Sequence, residues 1–85
     1  MSAASTSAIQ AIRLRNKTAE RRELWMEPLG DRVVLEPNIL YEIVATDALS
    51  EIVLSSDGFT VYGWVTQVAI IDEDGTSRTV WKVPD

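Results

Sequence analysis

The chain has 85 residues, carries a formal net charge of −5 and contains neither cysteine nor histidine. The missing thiols and imidazoles exclude disulfides, thiolate nucleophiles and cysteine or histidine metal sites, and they remove the commonest general base. A hydrophobic fraction of 46% is sufficient for one small domain with its own core.

The first eight residues are serine, alanine and threonine with one methionine. This composition buries little apolar area, which predicts a flexible arm over residues 1–8, followed by a single β domain over residues 9–85. The arm has neither the basic region nor the apolar core of a signal peptide, and no later segment has the apolar length of a membrane span. We therefore expect a cytoplasmic or virion-associated protein that has no membrane partner.

Apolar and basic residues alternate where the predicted β domain begins. Ile12 and Leu14 fall on one face of the chain, and Arg13, Arg15 and Lys17 fall on the other. A period of two is typical of a half-buried strand with one solvated face. The sequence therefore predicts a first strand whose solvent face is basic.

Residues 18–26 allow two interpretations. Their good helix formers are compatible with a short helix, but we favour a turn over residues 16–20 followed by a strand over residues 22–27. The next four residues, Pro28 to Asp31, predict a turn, because proline fixes φ and glycine accepts the positive φ of tight turns.

Six further strands are predicted where β-branched and aromatic residues gather between turn residues. They cover residues 32–36, 39–46, 51–55, 59–64, 65–72 and 77–83. Asp57-Gly58 and Asp74-Gly75 divide the last four strands into two hairpins, because Asp-Gly fits the tight turns between antiparallel strands. Seven or eight short strands at intervals of roughly ten residues predict an all-β fold, a small antiparallel β-sandwich or barrel.

Three segments in the first half of the chain resemble part of a known architecture. Glu27-Pro28-Leu29-Gly30, Leu35-Glu36-Pro37 and Tyr41-Glu42-Ile43-Val44-Ala45 resemble the strand–turn–strand opening of small immunoglobulin-like or cupredoxin-like sandwiches. The resemblance consists of turn chemistry and implies a sandwich fold. It implies no electron transfer, because the histidine and cysteine ligands of a cupredoxin's copper are missing.

An acidic segment near the C-terminus has a feature of calcium loops. Asp72-Glu73-Asp74-Gly75-Thr76 begins with the acid–x–acid–Gly pattern of such a loop. A full loop needs further oxygen ligands and a bidentate acid near its end, and Arg78 supplies a cation in that region instead. We therefore favour a hairpin turn, and we expect no metal site and no cofactor.

Carboxylates, lysine and tyrosine remain as formal sources of catalytic chemistry, and paired carboxylates are the ones considered. The candidates for acid–base work of the glycosidase type are Glu27, Glu36, Glu42 and Glu51. Acids on the polar face of strands ordinarily serve solubility, and a chain of this length has little room for an enclosed cleft. We expect no enzymatic activity.

Aromatic side chains offer a second kind of site. A platform that stacks on sugar rings or bases could use Trp25, Tyr41, Tyr62, Trp64 and Trp81. Tyr62 and Trp64 would share one strand face, although a small domain also needs large side chains in its core, and we favour core placement. Nucleic acid is the poorer ligand because an acidic body repels phosphates, whereas carbohydrate binding stays open.

Charge is divided unevenly along the chain. Residues 1–23 hold five basic residues against two acids, a net +3, and residues 24–85 hold three against eleven, a net −8. A solvated basic face is the simplest interpretation. A more specific interpretation is that the basic stretch contacts an acidic surface, on its own domain or on a neighbour.

These features predict a non-catalytic binding or structural module, an assembly component that binds a protein partner or further copies of itself through its arm and exposed strand edges. The residues predicted to contact the partner are Arg13, Arg15, Lys17, Arg21, Arg22, Tyr62 and Trp64. The alternatives are a carbohydrate-binding domain that uses Tyr62 and Trp64, and an acidic inhibitor that mimics nucleic acid.

Overall fold

A computed structural model describes residues 9–47 and 49–84 of the chain. These residues form eight strands and no helix. The strands are β1 (Gln10–Arg15), β2 (Arg22–Glu27), β3 (Asp31–Leu35), β4 (Leu40–Ala45), β5 (Glu51–Ser55), β6 (Gly58–Tyr62), β7 (Val65–Ile71) and β8 (Ser77–Lys82). The favoured strand over residues 22–27 is confirmed, and the helical alternative for residues 18–26 is wrong. The arm predicted over residues 1–8 lies outside the described part of the chain.

The strands form two four-stranded sheets, with the orders β1-β4-β7-β8 and β3-β2-β6-β5. The first sheet is antiparallel throughout. In the second sheet, β3 and β2 are antiparallel, β6 and β5 are antiparallel, and the central pair β2 and β6 is parallel. A parallel pair needs a long connection, and here the chain passes through β4 of the first sheet between β2 and β6. The predicted β-sandwich is confirmed, and the two sheets do not close into a barrel.

The core lies between the inner faces of the two sheets. Leu24 and Met26 of β2 are fully buried, and Ile43 of β4 is 1% exposed. Alternate residues of a strand point to the same side, so each strand of period two gives the core every second side chain. The alternation in the sequence thus determines which face of each central strand is enclosed.

Two buried polar side chains are hydrogen-bonded to the backbone. The Tyr41 hydroxyl accepts a hydrogen bond from the Glu36 N–H (2.9 Å) and donates one to the Val34 carbonyl (3.4 Å). The Asn16 side chain, in the loop between β1 and β2, donates to the Leu35 carbonyl (3.0 Å). Buried polar groups need hydrogen-bond partners, and here those bonds hold the C-terminal end of β3 against the first sheet.

The predicted hairpin between β5 and β6 is confirmed, and Gly58 is required there. Gly58 has a positive φ of 149°. A Cβ atom at this position would overlap the Glu23 carbonyl oxygen of the neighbouring strand β2. Glycine is therefore needed both for the turn and for the close approach of β6 to β2.

The second predicted hairpin, between β7 and β8, is also confirmed. The Gly75 N–H donates to the Asp72 carbonyl (2.9 Å), and the Asp72 N–H donates to the Thr76 carbonyl (2.8 Å). The Asp74 carboxylate accepts a hydrogen bond from the Thr76 N–H (2.9 Å). The acidic segment therefore forms the turn through its backbone and one carboxylate, as the turn preferences of Asp and Gly predict.

Candidate functional site

The basic residues predicted to contact a partner lie in two separate places. Arg13 and Arg15 are on β1, an edge strand of the first sheet, and Lys17 follows in the loop. Arg21 and Arg22 stand at the start of β2, an inner strand of the second sheet, beside a hollow of about 320 Å³. The structure thus divides the basic stretch between the two sheets.

Three of these four arginines pair with acids of the same chain, Arg22 with Glu20 two residues before it. Arg13 Nε lies 3.3 Å from Glu42 Oε2, and Arg21 Nε lies 3.0 Å from Glu36 Oε1. Arg15 donates a hydrogen bond to a backbone carbonyl instead. The pairs of Arg13 and Arg21 join the basic stretch to the acidic part of its own domain. Because both arginine side chains are at least 60% exposed, such pairs are weak and open to competition from another carboxylate.

The five aromatic side chains, for which core placement is favoured over a stacking platform, differ in exposure. Tyr41 is buried in the core, Trp25 and Trp81 are half-buried, and Tyr62 and Trp64 are 40% and 53% exposed. Core placement is therefore right for Tyr41 and wrong for Tyr62 and Trp64. The prediction that these two residues share a strand face is also wrong, because β6 ends at Tyr62 and Trp64 lies in the link to β7.

The outer face of the second sheet brings together a different aromatic pair. In the parallel register of β2 and β6, Trp25 stands opposite Thr60 and Glu27 stands opposite Tyr62, so Trp25 and Tyr62 share the outer face. The Arg32 guanidinium lies over the Trp25 ring, 5.2 Å from its centroid, within the range of a cation–π contact. Sequence reasoning missed this pair because nothing in the sequence indicates that β2 and β6 are neighbours.

The candidate carboxylates fall into two groups. Glu36 and Glu42 are partners of Arg21 and Arg13. Glu27 and Glu51 both stand opposite Tyr62, one on each neighbouring strand, and so lie on either side of it on the outer face. Together with the turn at Asp72–Asp74, these positions distribute the acids over several surfaces, whereas a mimic of nucleic acid needs them gathered on one.

Strand β5 is the most unusual part of the surface. It is an edge strand, and all five of its residues are exposed. Ile52 stands opposite the buried Val61, and Leu54 stands opposite Phe59, so both belong to the core-facing side of the second sheet. They are nevertheless 46% and 72% exposed. The inner face of the sandwich is therefore uncovered along β5.

The other edge strands carry the charges or irregularities that protect sheet edges from pairing. β1 has Arg13 and Arg15, β3 begins with Asp31-Arg32, and β8 has Arg78, Lys82 and a bulge in its pairing with β7. β5 has one charged residue, Glu51, followed by Ile, Val, Leu and Ser. The sequence predicts this run as a strand but does not show that it lies at an edge, because that depends on the order of the strands in the sheet.

Two carboxyl groups have shifted acidities. A hydrogen bond from Trp81, and a second from the Arg32 N–H, lower the pKa of Asp31 below its ordinary value. Hydrogen bonds from Thr76 lower the pKa of Asp74. Both shifts come from hydrogen bonds to the charged form of the carboxyl group.

Residues 9–47 and 49–84 hold no group of three or more acidic side chains placed to bind a metal ion. The same part of the chain has no helix with the length and hydropathy of a membrane span.

Comparisons of the chain with profiles of known protein families, with curated proteins and with solved structures find no match.

Proposed function

We propose that this chain is a non-catalytic protein-interaction module, an assembly component that binds its partner at the edge of β5, residues Glu51–Ser55. The single observation that carries this proposal is the exposure of Ile52, Val53 and Leu54 on an edge strand. Exposed backbone groups at a sheet edge accept an added strand, and alternating side chains give such an addition its specificity.

The chemistry of β5 favours a protein strand as the partner. Strand addition uses backbone donors and acceptors together with apolar contacts on both sides of the sheet. Ile52 and Leu54 supply those contacts on the inner side, and Val53 supplies them on the outer side. Exposed apolar groups that lie next to one another, rather than singly, are typical of an interaction surface.

Site-specific photo-crosslinking tests the proposal. A benzoylphenylalanine placed at Leu54 in the full chain is expected to give a protein adduct on irradiation in the native cells. The matched control carries the same group at Thr79, an exposed residue of the edge strand β8. The absence of an adduct at Leu54, or equal yields from both positions, would overturn the proposal.

Carbohydrate binding is the second candidate, and the exposure of Tyr62 and Trp64 favours it. Tyr62 shares the outer face with Trp25 and is flanked by Glu27 and Glu51, a combination of aromatic rings and hydrogen-bond acceptors that suits sugar rings. Calorimetry and tryptophan fluorescence against a panel of glycans test it. A saturable heat that is lost in Tyr62→Ala supports sugar binding, and flat titrations contradict it.

A further inference from the structure

We infer that the partner of β5 is a second copy of this chain, which adds its own β5 in the antiparallel direction across a two-fold axis. The two four-stranded sheets that contain β5 then become one continuous sheet. The inference rests on the proposed function, because it names the partner of the same edge. Two-fold pairing of identical surfaces is the commonest arrangement among soluble homo-oligomers.

The inner face of β5 gives the first argument. Across β5 and β6, an apolar row runs from Val61 to Ile52, and a second runs from Phe59 to Leu54. When two copies overlap along all of β5, Ile52 of one copy faces Leu54 of the other. Each row then continues into the other copy and ends in its β6. The two exposed core-facing side chains of each β5 are thereby covered by those of the other copy.

The charge pattern of β5 gives the second argument. The same overlap sets Val53 against Val53 of the second copy and Glu51 against Ser55. No like charges are directly opposed, which is the condition that a self-complementary edge must meet. β5 also has no lysine, arginine or proline, the residues that ordinarily keep an edge from pairing.

Cysteine crosslinking tests this register directly. The chain has no cysteine, so each single variant carries one thiol. In the inferred dimer the two residues at position 53 face each other, within the separation that a disulfide can bridge. Val53→Cys is expected to form a disulfide-linked dimer under mild oxidation much faster than the control Thr79→Cys on edge strand β8. Equal rates for the two variants would overturn the inference.

A mixed experiment checks the offset between the strands. In the inferred dimer, position 52 of one copy faces position 54 of the other, so Ile52→Cys and Leu54→Cys bring their thiols together only when one copy of each variant pairs. Their mixture is therefore expected to crosslink faster than either variant alone. A mixture that crosslinks no faster than the separate variants contradicts this register.

Sedimentation measures the association without a covalent bond. The wild-type chain is expected to form dimer as its concentration is raised to about 1 mM, whereas Leu54→Lys is expected to remain monomeric over the same range. Leu54 is 72% exposed, so the lysine is accommodated in the monomer, and circular dichroism checks its fold.

The two proposals fail in different ways. A wild-type chain that stays monomeric throughout, with Val53→Cys no faster than Thr79→Cys, overturns the second copy as partner. If photo-crosslinking at Leu54 still captures another protein, the proposed function stands while the inferred dimer falls. If neither experiment gives a product, both are wrong.

Discussion

The indole Nε1 of Trp81 donates a 2.7 Å hydrogen bond to Asp31 Oδ2. Trp81 lies on β8 and Asp31 on β3, so the bond joins edge strands of the two different sheets. Elsewhere in the sandwich, the Gln10 side chain on β1 accepts a bond from the Leu49 N–H (2.8 Å), two residues before β5. The Trp81 bond therefore links an edge of each sheet through a charged acceptor, whereas the Tyr41 hydroxyl links the inner strand β4 to β3 through the Val34 carbonyl.

Replacing Trp81 with phenylalanine is expected to lower the free energy of unfolding, because the ring stays apolar while the hydrogen bond to Asp31 is lost. Urea denaturation followed by far-ultraviolet circular dichroism measures the change. The effect is also expected to depend on pH, because the bond lowers the pKa of Asp31 from its ordinary value of 3.8. Its contribution is present above pH 3.8 and disappears as the pH falls through the lower pKa of the folded state.

A comparison of the two proteins at several pH values checks this sign. The difference between wild type and Trp81→Phe should be full at neutral pH and should shrink in acid. The control is Asp31→Asn, in which a further Trp81→Phe change should give no such trend. A difference that grows in acid would contradict the assignment of the bond to the charged carboxylate.

Tyr41→Phe is expected to destabilise the fold by about 1–2 kcal/mol, because the Glu36 N–H and the Val34 carbonyl lose their partner beside the core. Tyr62→Phe is the matched control, since Tyr62 is 40% exposed, and its effect should be within about 0.5 kcal/mol. Urea denaturation of both variants gives the comparison. Equal losses would show that the Tyr41 hydroxyl contributes nothing specific.

Gly58→Ala is expected to be much more damaging than Gly75→Ala. Both glycines have positive φ, but a Cβ at Gly58 overlaps the Glu23 backbone, whereas a Cβ at Gly75 meets no atom within 4 Å. Gly75→Ala should cost about 1 kcal/mol from its backbone conformation alone. Gly58→Ala must in addition separate β6 from β2. Thermal unfolding of the pair tests this order, and similar melting temperatures would contradict it.

Ionic strength separates the two kinds of surface that could hold an assembly together. Contacts made by Arg13, Arg15, Lys17, Arg21 and Arg22 with a neighbour's acids should weaken as salt rises, because exposed charges are screened. Pairing through β5 should persist or strengthen, since each copy carries −5 and salt reduces their mutual repulsion. Sedimentation across a range of salt concentrations measures the sign. Loss of association at high salt would favour the arginines over β5.

The class of the fold could be predicted from local patterns. Period two in β1 and β4, and Asp-Gly between strands, are short-range signals, and both hairpins formed where they indicated. What escaped prediction is non-local. The parallel pairing of Leu24 with Phe59 brings Trp25 and Tyr62 to one face. No turn residue encodes that contact, because β2 and β6 are distant in sequence and the chain passes through the first sheet between them.

The candidate site escaped prediction for the same reason. Glu-Ile-Val-Leu-Ser reads as a strand in any position, and only the order β3-β2-β6-β5 makes it an edge. The arginines were noticed because charge is visible in a sequence. Their pairing with Glu42 and Glu36 was not, since it needs β4 beside β1 and the end of β3 beside the start of β2.

The parallel contact between β2 and β6 bears on how the molecule reaches its native state. Glu23 and Gly58 meet across that contact, so the middle of the second sheet forms only after a long stretch of chain has closed into a loop. Hairpins such as β7–β8 close quickly, while this junction must wait for a rarer encounter. Until it forms, β2 does not hold the β5–β6 hairpin in the sheet, and the hairpin's apolar side and unpaired edge are open to incorrect pairing.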